Sequence, residues 1–237
     1  MLLPELERRG LRKGWALDVG CGTGRAFEPL LDRGWQIVGC DVSPGMLAEA
    51  KRKFGSRVRL MVMDARKLTP IALGSAAQSN RGFQLILLLN DVVNYMTEKG
   101  DLEQVFASVK RNLSETNGLV VFDANTLNLF REDFALGVLD TNAEGSEWRG
   151  LTADSGAAGI YEARLSGSSI QTHVHRQRHW GGDEVRRALK ASGLNCIAAL
   201  GQREEDGGVV LSDTPSEERD RKIVYIAGKY EVGTPRS

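Results

Sequence analysis

The stretch ALDVGCGTGR, Ala16 to Arg25, decides how this chain is read. It carries an apolar strand into a helix through Asp18, Gly20, Gly22 and Gly24, which stand at alternate positions. Glycine at three such places lets the backbone turn sharply, enter positive φ and approach a ligand with no Cβ in the way. Asp18 lies at the carboxyl end of the strand, where open α/β sheets bind their ligands. The signal strengthens downstream. QIVGCD ends in Asp41, nineteen residues after Gly22, and VRLMVMD ends in Asp64, so three successive predicted strands close on a carboxylate.

These residues resemble the class I S-adenosylmethionine-dependent methyltransferases, whose glycine loop follows an acidic residue and whose second and third strands end in further acidic residues. The similarity extends through GCDVSPGMLAEAKRK (Gly39 to Lys53), FQLILLLNDVVNYM (Phe83 to Met96) and VVFDANT (Val120 to Thr126), which look like the later strands of small-molecule members. A dinucleotide oxidoreductase is the natural competitor. Its fingerprint needs a glycine or alanine three places after the second glycine, and those places hold Arg25 or Phe27.

Size and composition fit one domain. A chain of 237 residues with 41% hydrophobic content can bury a single substantial core. The 31 basic and 31 acidic residues leave no excess positive charge to neutralise a phosphate backbone, which argues against a nucleic-acid partner. The sequence NDVVNY after the fourth strand also lacks the consecutive prolines of nucleic-acid amino-methylating enzymes. Cys21, Cys40 and Cys196 show neither a disulfide framework nor a metal-ligand spacing, and a reducing cytoplasm suits them. The first residues, MLLPELERRG, do not read as a signal peptide, and the longest aliphatic run is Leu85 to Leu89, too short to span a membrane.

Strand and helix signals alternate from Trp15 onward, the pattern of a mostly parallel sheet covered on both faces. Strands are expected near 15–19, 36–40, 58–63, 83–89, 118–123, 195–200 and 222–228, with helices near 24–33, 44–53, 98–113 and 183–192. The expected fold is therefore α/β, a doubly wound, Rossmann-like sheet of seven mostly parallel strands with an antiparallel hairpin inserted after the fifth. Gly193 is placed to cap the last helix. Residues 126–181 are too long for an ordinary βα loop. Within them GIYEARL and SIQTHVHRQRHW alternate like the arms of a hairpin, expected to lie as a substrate lid over the sheet's carboxyl edge. The charged run Arg203 to Lys222 reads as a mobile hairpin or loop, and 231–237 as a disordered tail. Family members usually carry helices before the glycine loop that close over the methyl donor, whereas about fourteen residues precede the first strand here.

The resemblance implies a donor site residue by residue. Asp41 accepts from the ribose hydroxyls, Asp64 from the adenine amine, and the backbone at Ala65 meets a ring nitrogen. Val42 and Met46 pack against the adenine. The loop Gly20, Cys21, Gly22 and Gly24 passes the methionine portion, Asp18 steadies that loop or the amino group, and Asn90 lines the sulfonium end. S-adenosylmethionine is accordingly the expected cofactor, and a small organic molecule methylated on oxygen or nitrogen the expected acceptor. A chain that binds the donor without productive catalysis is the alternative.

Methyl transfer is an in-line displacement that needs a base only when the acceptor must lose a proton. His173, His175 and His179 fall at odd positions of one apparent strand and so share a face. Histidine accepts a proton near neutral pH, and His175 leads as the catalytic candidate, with His179 and Tyr161 beside it. Structural polar residues on a half-exposed strand explain the same pattern. Arg176 and Arg178 alternate onto the other face, where solvation is their simplest fate. Asp91, Asn94 and Tyr95 stand near the reacting group, with capping of the next turn an equal role for Asp91.

Overall fold

The computed structural model describes residues 2–73, 82–141, 146–152, 159–167, 170–205 and 207–229. Five parallel strands come first: β1 (Trp15–Val19), β2 (Gln36–Asp41), β3 (Val58–Val62), β4 (Leu85–Leu88) and β5 (Leu119–Asn125). Strands β6 (Gly137–Thr141), β7 (Glu147–Gly150), β8 (Ile160–Gly167) and β9 (Ile170–Arg178) form a separate antiparallel sheet in the insertion. The main sheet is completed by β10 (Asn195–Glu205), β11 (Gly208–Ser212) and β12 (Lys222–Gly228), in the order β11-β10-β12-β5-β4-β1-β2-β3. The doubly wound expectation holds with eight strands in place of seven. The extra strand is β11, which pairs antiparallel with a lengthened β10, so the charged run expected as a hairpin or loop opens with a hairpin. Arg203, inside this ladder opposite Val210, is neutralised by Glu205 and the buried Asp220, so the charges of this run do not prevent pairing.

Among the described residues six α-helices flank the strands: α1 (Leu2–Arg8), α2 (Phe27–Leu31), α3 (Pro44–Phe54), α4 (Asp101–Asn112), α5 (Leu127–Asp133) and α6 (Gly182–Ala191). Alternation along each strand sends side chains to two cores. Leu17, Ile86, Leu88, Val120 and Phe122 pack with Val105, Phe106 and Val109 of α4 and with Val185 and Leu189 of α6. Ala16, Leu85, Leu87 and Val121 pack on the opposite face with Leu6, Phe27, Leu30, Leu47 and Phe54. The second helix is shorter than its periodicity predicts. Gly20, Gly22 and Gly24 all take positive φ, and a right-handed helix starts only once that loop is complete. Ser43 caps α3 by accepting the Met46 N–H, with Pro44 in the first turn. Gly193 takes φ +73° after α6, the left-handed cap expected of it.

The insertion is larger than a hairpin. The expected arms are β8 and β9, and they join β6 and β7 in a four-stranded sheet preceded by α5. The short β6 and β7 carry no sustained alternation, and their pairing depends on the edge that β8 presents. Hydrogen bonds to distant backbone anchor the insertion. Thr126 caps α5 and donates to the Asp220 carbonyl, while the Trp180 indole donates to the carbonyls of Val93 and Met96. The predicted tail, 231–237, lies outside the described residues. Among the described residues no helix is long and apolar enough to cross a membrane.

Candidate functional site

The first half of the site is the bend after β1. Gly20 and Cys21 donate their N–H groups to the Cys40 carbonyl, which ties the bend to the end of β2. Asp41 then accepts the Gly22 N–H at 2.9 Å on one carboxylate oxygen and the Ser43 N–H at 2.8 Å on the other. A Cβ on Gly20 would come within 2.5 Å of Val92, whereas a Cβ on Gly22 would meet only open space. Gly20 is therefore required by packing as well as by its positive φ, whereas at Gly22 the positive φ alone favours glycine and the side facing outward is open. Val42 and Met46 flank Asp41 at 66% and 49% exposure, an uncovered apolar pair beside a carboxylate that suits a nucleoside base above its ribose. Asp18 is buried beneath the loop, and its carboxyl is pushed up to about 7 by burial and, secondarily, by the charge of Asp41. Burial likewise pushes the Cys40 thiol up to about 12 and raises that of Cys21, which leaves both inert as nucleophiles.

Asp64 is placed differently from a free edge reader. Its carboxylate takes the Arg66 guanidinium at 2.7 Å and the Arg66 N–H at 2.9 Å, and these hydrogen bonds hold it below the usual carboxylate range. Ala65 opens the short turn that follows and is buried. Any contact from Asp64 to a base shares that carboxylate with Arg66.

The second half lies at the end of β4. Asn90 and Asp91 both adopt left-handed backbone, at φ 61° and 66°. Two successive non-glycine residues in this region carry strain of about 1–3 kcal/mol each. Asp123 over-determines the conformation by accepting both N–H groups, at 2.9 and 2.8 Å. Lys222 ion-pairs with Asp91 and lies 3.6 Å from Asp123. Burial opposes the charge of Lys222, but the two carboxylates outweigh it and raise its pKa. Burial also raises Asp123, which Lys222 partly offsets.

A cavity of about 570 Å³ separates this cluster from the insertion, bordered by Asp91, Asn125, Gln177, Lys222, Trp148 and Leu165, among others. A second cavity of about 420 Å³ lies on the other side of Lys222, against Asn90, Asp123, Arg25 and Leu2 of the N-terminal helix.

Of the catalytic candidates, His175 does not border the cavity itself but lies against Trp148, which does. Its Nδ1 lies 2.7 Å from the Tyr95 hydroxyl, its ring 5.1 Å from that of Trp148, and its Nε2 is buried without a partner. Burial, and then the neighbouring His173, lower its pKa, with Asp91 opposing. Tyr161 instead stacks on Phe130 at 4.3 Å in the insertion's own core. His179 lies beyond the end of β9 and pairs with Glu217 at 3.0 Å, so the shared face does not bring all three histidines to one place. His173 is exposed. Arg178 departs from simple solvation, for its guanidinium covers the Trp180 ring at 3.9 Å. Asn94 is buried, accepting the Asn125 N–H and donating to the Arg178 carbonyl, a brace between sheet and insertion.

Lys222, Asp123, Asn125 and Gln177 escape the sequence reading. A topological signal for Lys222 exists: a last strand that runs antiparallel begins at the carboxyl edge, and Lys222 is its first residue, opposite Asn125.

A family model described as a methyltransferase domain matches residues 16–116. A Bacillus subtilis (strain 168) protein named "Putative methyltransferase YqeM" is 32% identical over 226 residues, covering 92% of this chain and 85% of that one. A "Ubiquinone biosynthesis O-methyltransferase" of Azorhizobium caulinodans is 30% identical over 180 residues, covering 67% of this chain and 62% of the relative. Among solved structures, an S-adenosylmethionine-dependent methyltransferase from Clostridium acetobutylicum ATCC 824 superposes with a TM-score of 0.73 at 21% identity, over 95% of this chain and 88% of the other. With the glycine bend, the strand-end carboxylates and the sheet order all in place, the chain belongs to the class I S-adenosylmethionine-dependent methyltransferases.

Proposed function

We propose that this protein methylates a small organic acceptor, on oxygen or nitrogen, in the cavity between the insertion and the carboxyl edge of the main sheet. The observation that carries the reading is that cavity: about 570 Å³, on the scale of small-molecule sites, with an aromatic flank and convergent polar groups. Residues 126–181 are its lid, part of one domain with the sheet. The donor lies over the glycine bend, with Asp41 toward the ribose, Val42 and Met46 toward the adenine, and Gly22 where a side chain would intrude. Asn90 borders the sulfonium end. When bound, S-adenosylmethionine supplies an electrophilic methyl group. The chain contributes position, exclusion of water and a place for the acceptor's proton.

His175 is the proton acceptor in this reading. This role requires the tautomer in which Nδ1–H donates to the Tyr95 oxygen and Nε2 keeps its lone pair, and the lowered pKa favours the neutral ring. Tyr161 and His179 act by holding the lid, through Phe130 and Glu217. Balanced net charge and a bounded pocket support a small molecule over nucleic acid, and free buried thiols support a cytoplasmic setting.

Turnover of S-adenosylmethionine to S-adenosylhomocysteine with a panel of small phenols, carboxylates and amines tests the reading. Donor binding without turnover of any of them would favour a binding protein instead. Failure to bind either nucleoside would reject the donor site.

A further inference from the structure

The polar wall of the cavity has a direction. Asp91, ion-paired with Lys222, is an acceptor only. Gln177 must therefore turn its amide nitrogen toward Asp91, and Nε2 donates to Asp91 Oδ2 at 3.2 Å. That leaves Gln177 Oε1 facing Asn125, whose Nδ2 donates to it at 2.9 Å. Flipping either amide would set two oxygens, or two N–H groups, against each other. The Lys222–Asp91 ion pair thus fixes the orientation of two successive amides, although amide oxygen and nitrogen are nearly alike in shape. At the end of the relay Asn125 Oδ1 has no partner, while Asn125 is 2% exposed and borders the cavity.

We infer that Asn125 is a specificity-determining residue of the acceptor site: its Oδ1 accepts a hydrogen bond from a hydroxyl or amino group of the acceptor, so that molecules bearing such a donor are selected over isosteres lacking it. This inference rests on the reading of the cavity as the acceptor site. A buried acceptor left unpaired carries a desolvation penalty that a ligand donor removes. The neighbouring carboxylates Asp91 and Asp133 are themselves acceptors, and the cations near them, Lys222 and Arg221, already pair with them. An acceptor presenting only carbonyl or carboxylate oxygens would set oxygen against Asn125 Oδ1. Discrimination of this kind is strong where a site's own polar group goes unpaired with the wrong ligand.

The test uses the full chain with S-adenosylhomocysteine present and four probes of similar size: phenol and aniline, which donate, and toluene and fluorobenzene, which do not. Affinity is read by ligand-observed NMR. The Asn125 side-chain amide is read in protein carrying 15N-asparagine, and is assigned by its loss in Asn125→Leu. Expected is a preference for phenol and aniline of roughly tenfold to a hundredfold, with a shift of the Asn125 amide only for those two. Asn125→Leu should abolish the preference. Gln177→Leu, which keeps Asn125 but frees its amide to flip, should reduce it, and it serves if the first variant does not fold. Equal affinity for the four probes, or a preference that survives in both variants, would overturn the inference while leaving the cavity an acceptor site. Binding of none of the probes would remove the reading of the cavity and the inference with it.

Discussion

Asp41 Oδ2 accepts the backbone N–H of Gly22 at 2.9 Å, so the carboxylate ending the second strand holds the bend that follows the first. The residue assigned to the ribose therefore also sets the shape of the loop beside it. Asp41→Ala removes a charged acceptor from both, and donor affinity should fall by about 2–3 kcal/mol, roughly 30- to 150-fold. Calorimetric titration with S-adenosylhomocysteine measures it. Unaltered affinity would place the ribose elsewhere.

Gly20 and Gly22 should separate stability from binding. Both have positive φ, which costs a non-glycine residue about 1–2 kcal/mol. At Gly20 the added methyl also collides with Val92, so Gly20→Ala should lower the melting temperature much more than Gly22→Ala. Gly22→Ala should instead weaken the donor disproportionately, since its methyl occupies the open side of the bend. Equal losses of stability would contradict the assignment of that side to the ligand.

Asp18 should make donor binding depend on pH. Its carboxyl lies at about 7 in the fold against an ordinary 3.8, so it is protonated more readily in the folded chain. The sign follows: its contribution to stability is complete below pH 3.8 and is lost as pH rises toward 7, by about 4 kcal/mol at most. A cationic donor nearby favours the carboxylate, so affinity should rise from pH 6 to pH 8 with release of a proton. Asp18→Asn should flatten both profiles. Calorimetry in buffers of different ionisation enthalpy counts the proton, and absence of release would show that Asp18 does not sense the donor.

As the proposed base, His175 should set the acid limb of activity. A base must be neutral to act, and its pKa lies below 6.5, so kcat/KM should hold at pH 7 and fall as pH drops through a midpoint below 6.5. His175→Gln should cost about 10²- to 10⁴-fold in kcat if a proton is transferred in the slow step. Activity of His175→Gln within a few-fold of the parent would mean an acceptor that needs no base.

Lys222 is the counter-charge of two aspartates. Lys222→Met leaves Asp91 and Asp123 facing each other unpaired and should destabilise the fold by about 3–5 kcal/mol. Adding Asp123→Asn should recover part of that loss, measurable in urea unfolding. A double variant no more stable than the single one would show that charge imbalance is not the cause.

The sequence by itself determined seven of the eight strands of the main sheet and the local shape of the proposed donor half of the site. Those features are local: glycines at alternate positions dictate the bend, Ser43 and Pro44 start α3, and alternation from Leu85 to Leu89 feeds two cores. Asp41 ends β2 and Gly22 lies in the bend after β1, and the register of these adjacent parallel strands follows from the βαβ repeat. The proposed acceptor half was decided only by tertiary structure, because it is assembled from separated ends. Asn125 closes β5, Gln177 lies near the end of the inserted sheet, Asp91 follows β4 and Lys222 opens an antiparallel strand. Nothing in the local pattern of GIYEARL tells whether Tyr161 faces a ligand or, as found, Phe130. That choice depends on which surface the inserted sheet lays against its neighbours, a packing outcome that Trp180, Asn94 and Thr126 fix through bonds to distant backbone.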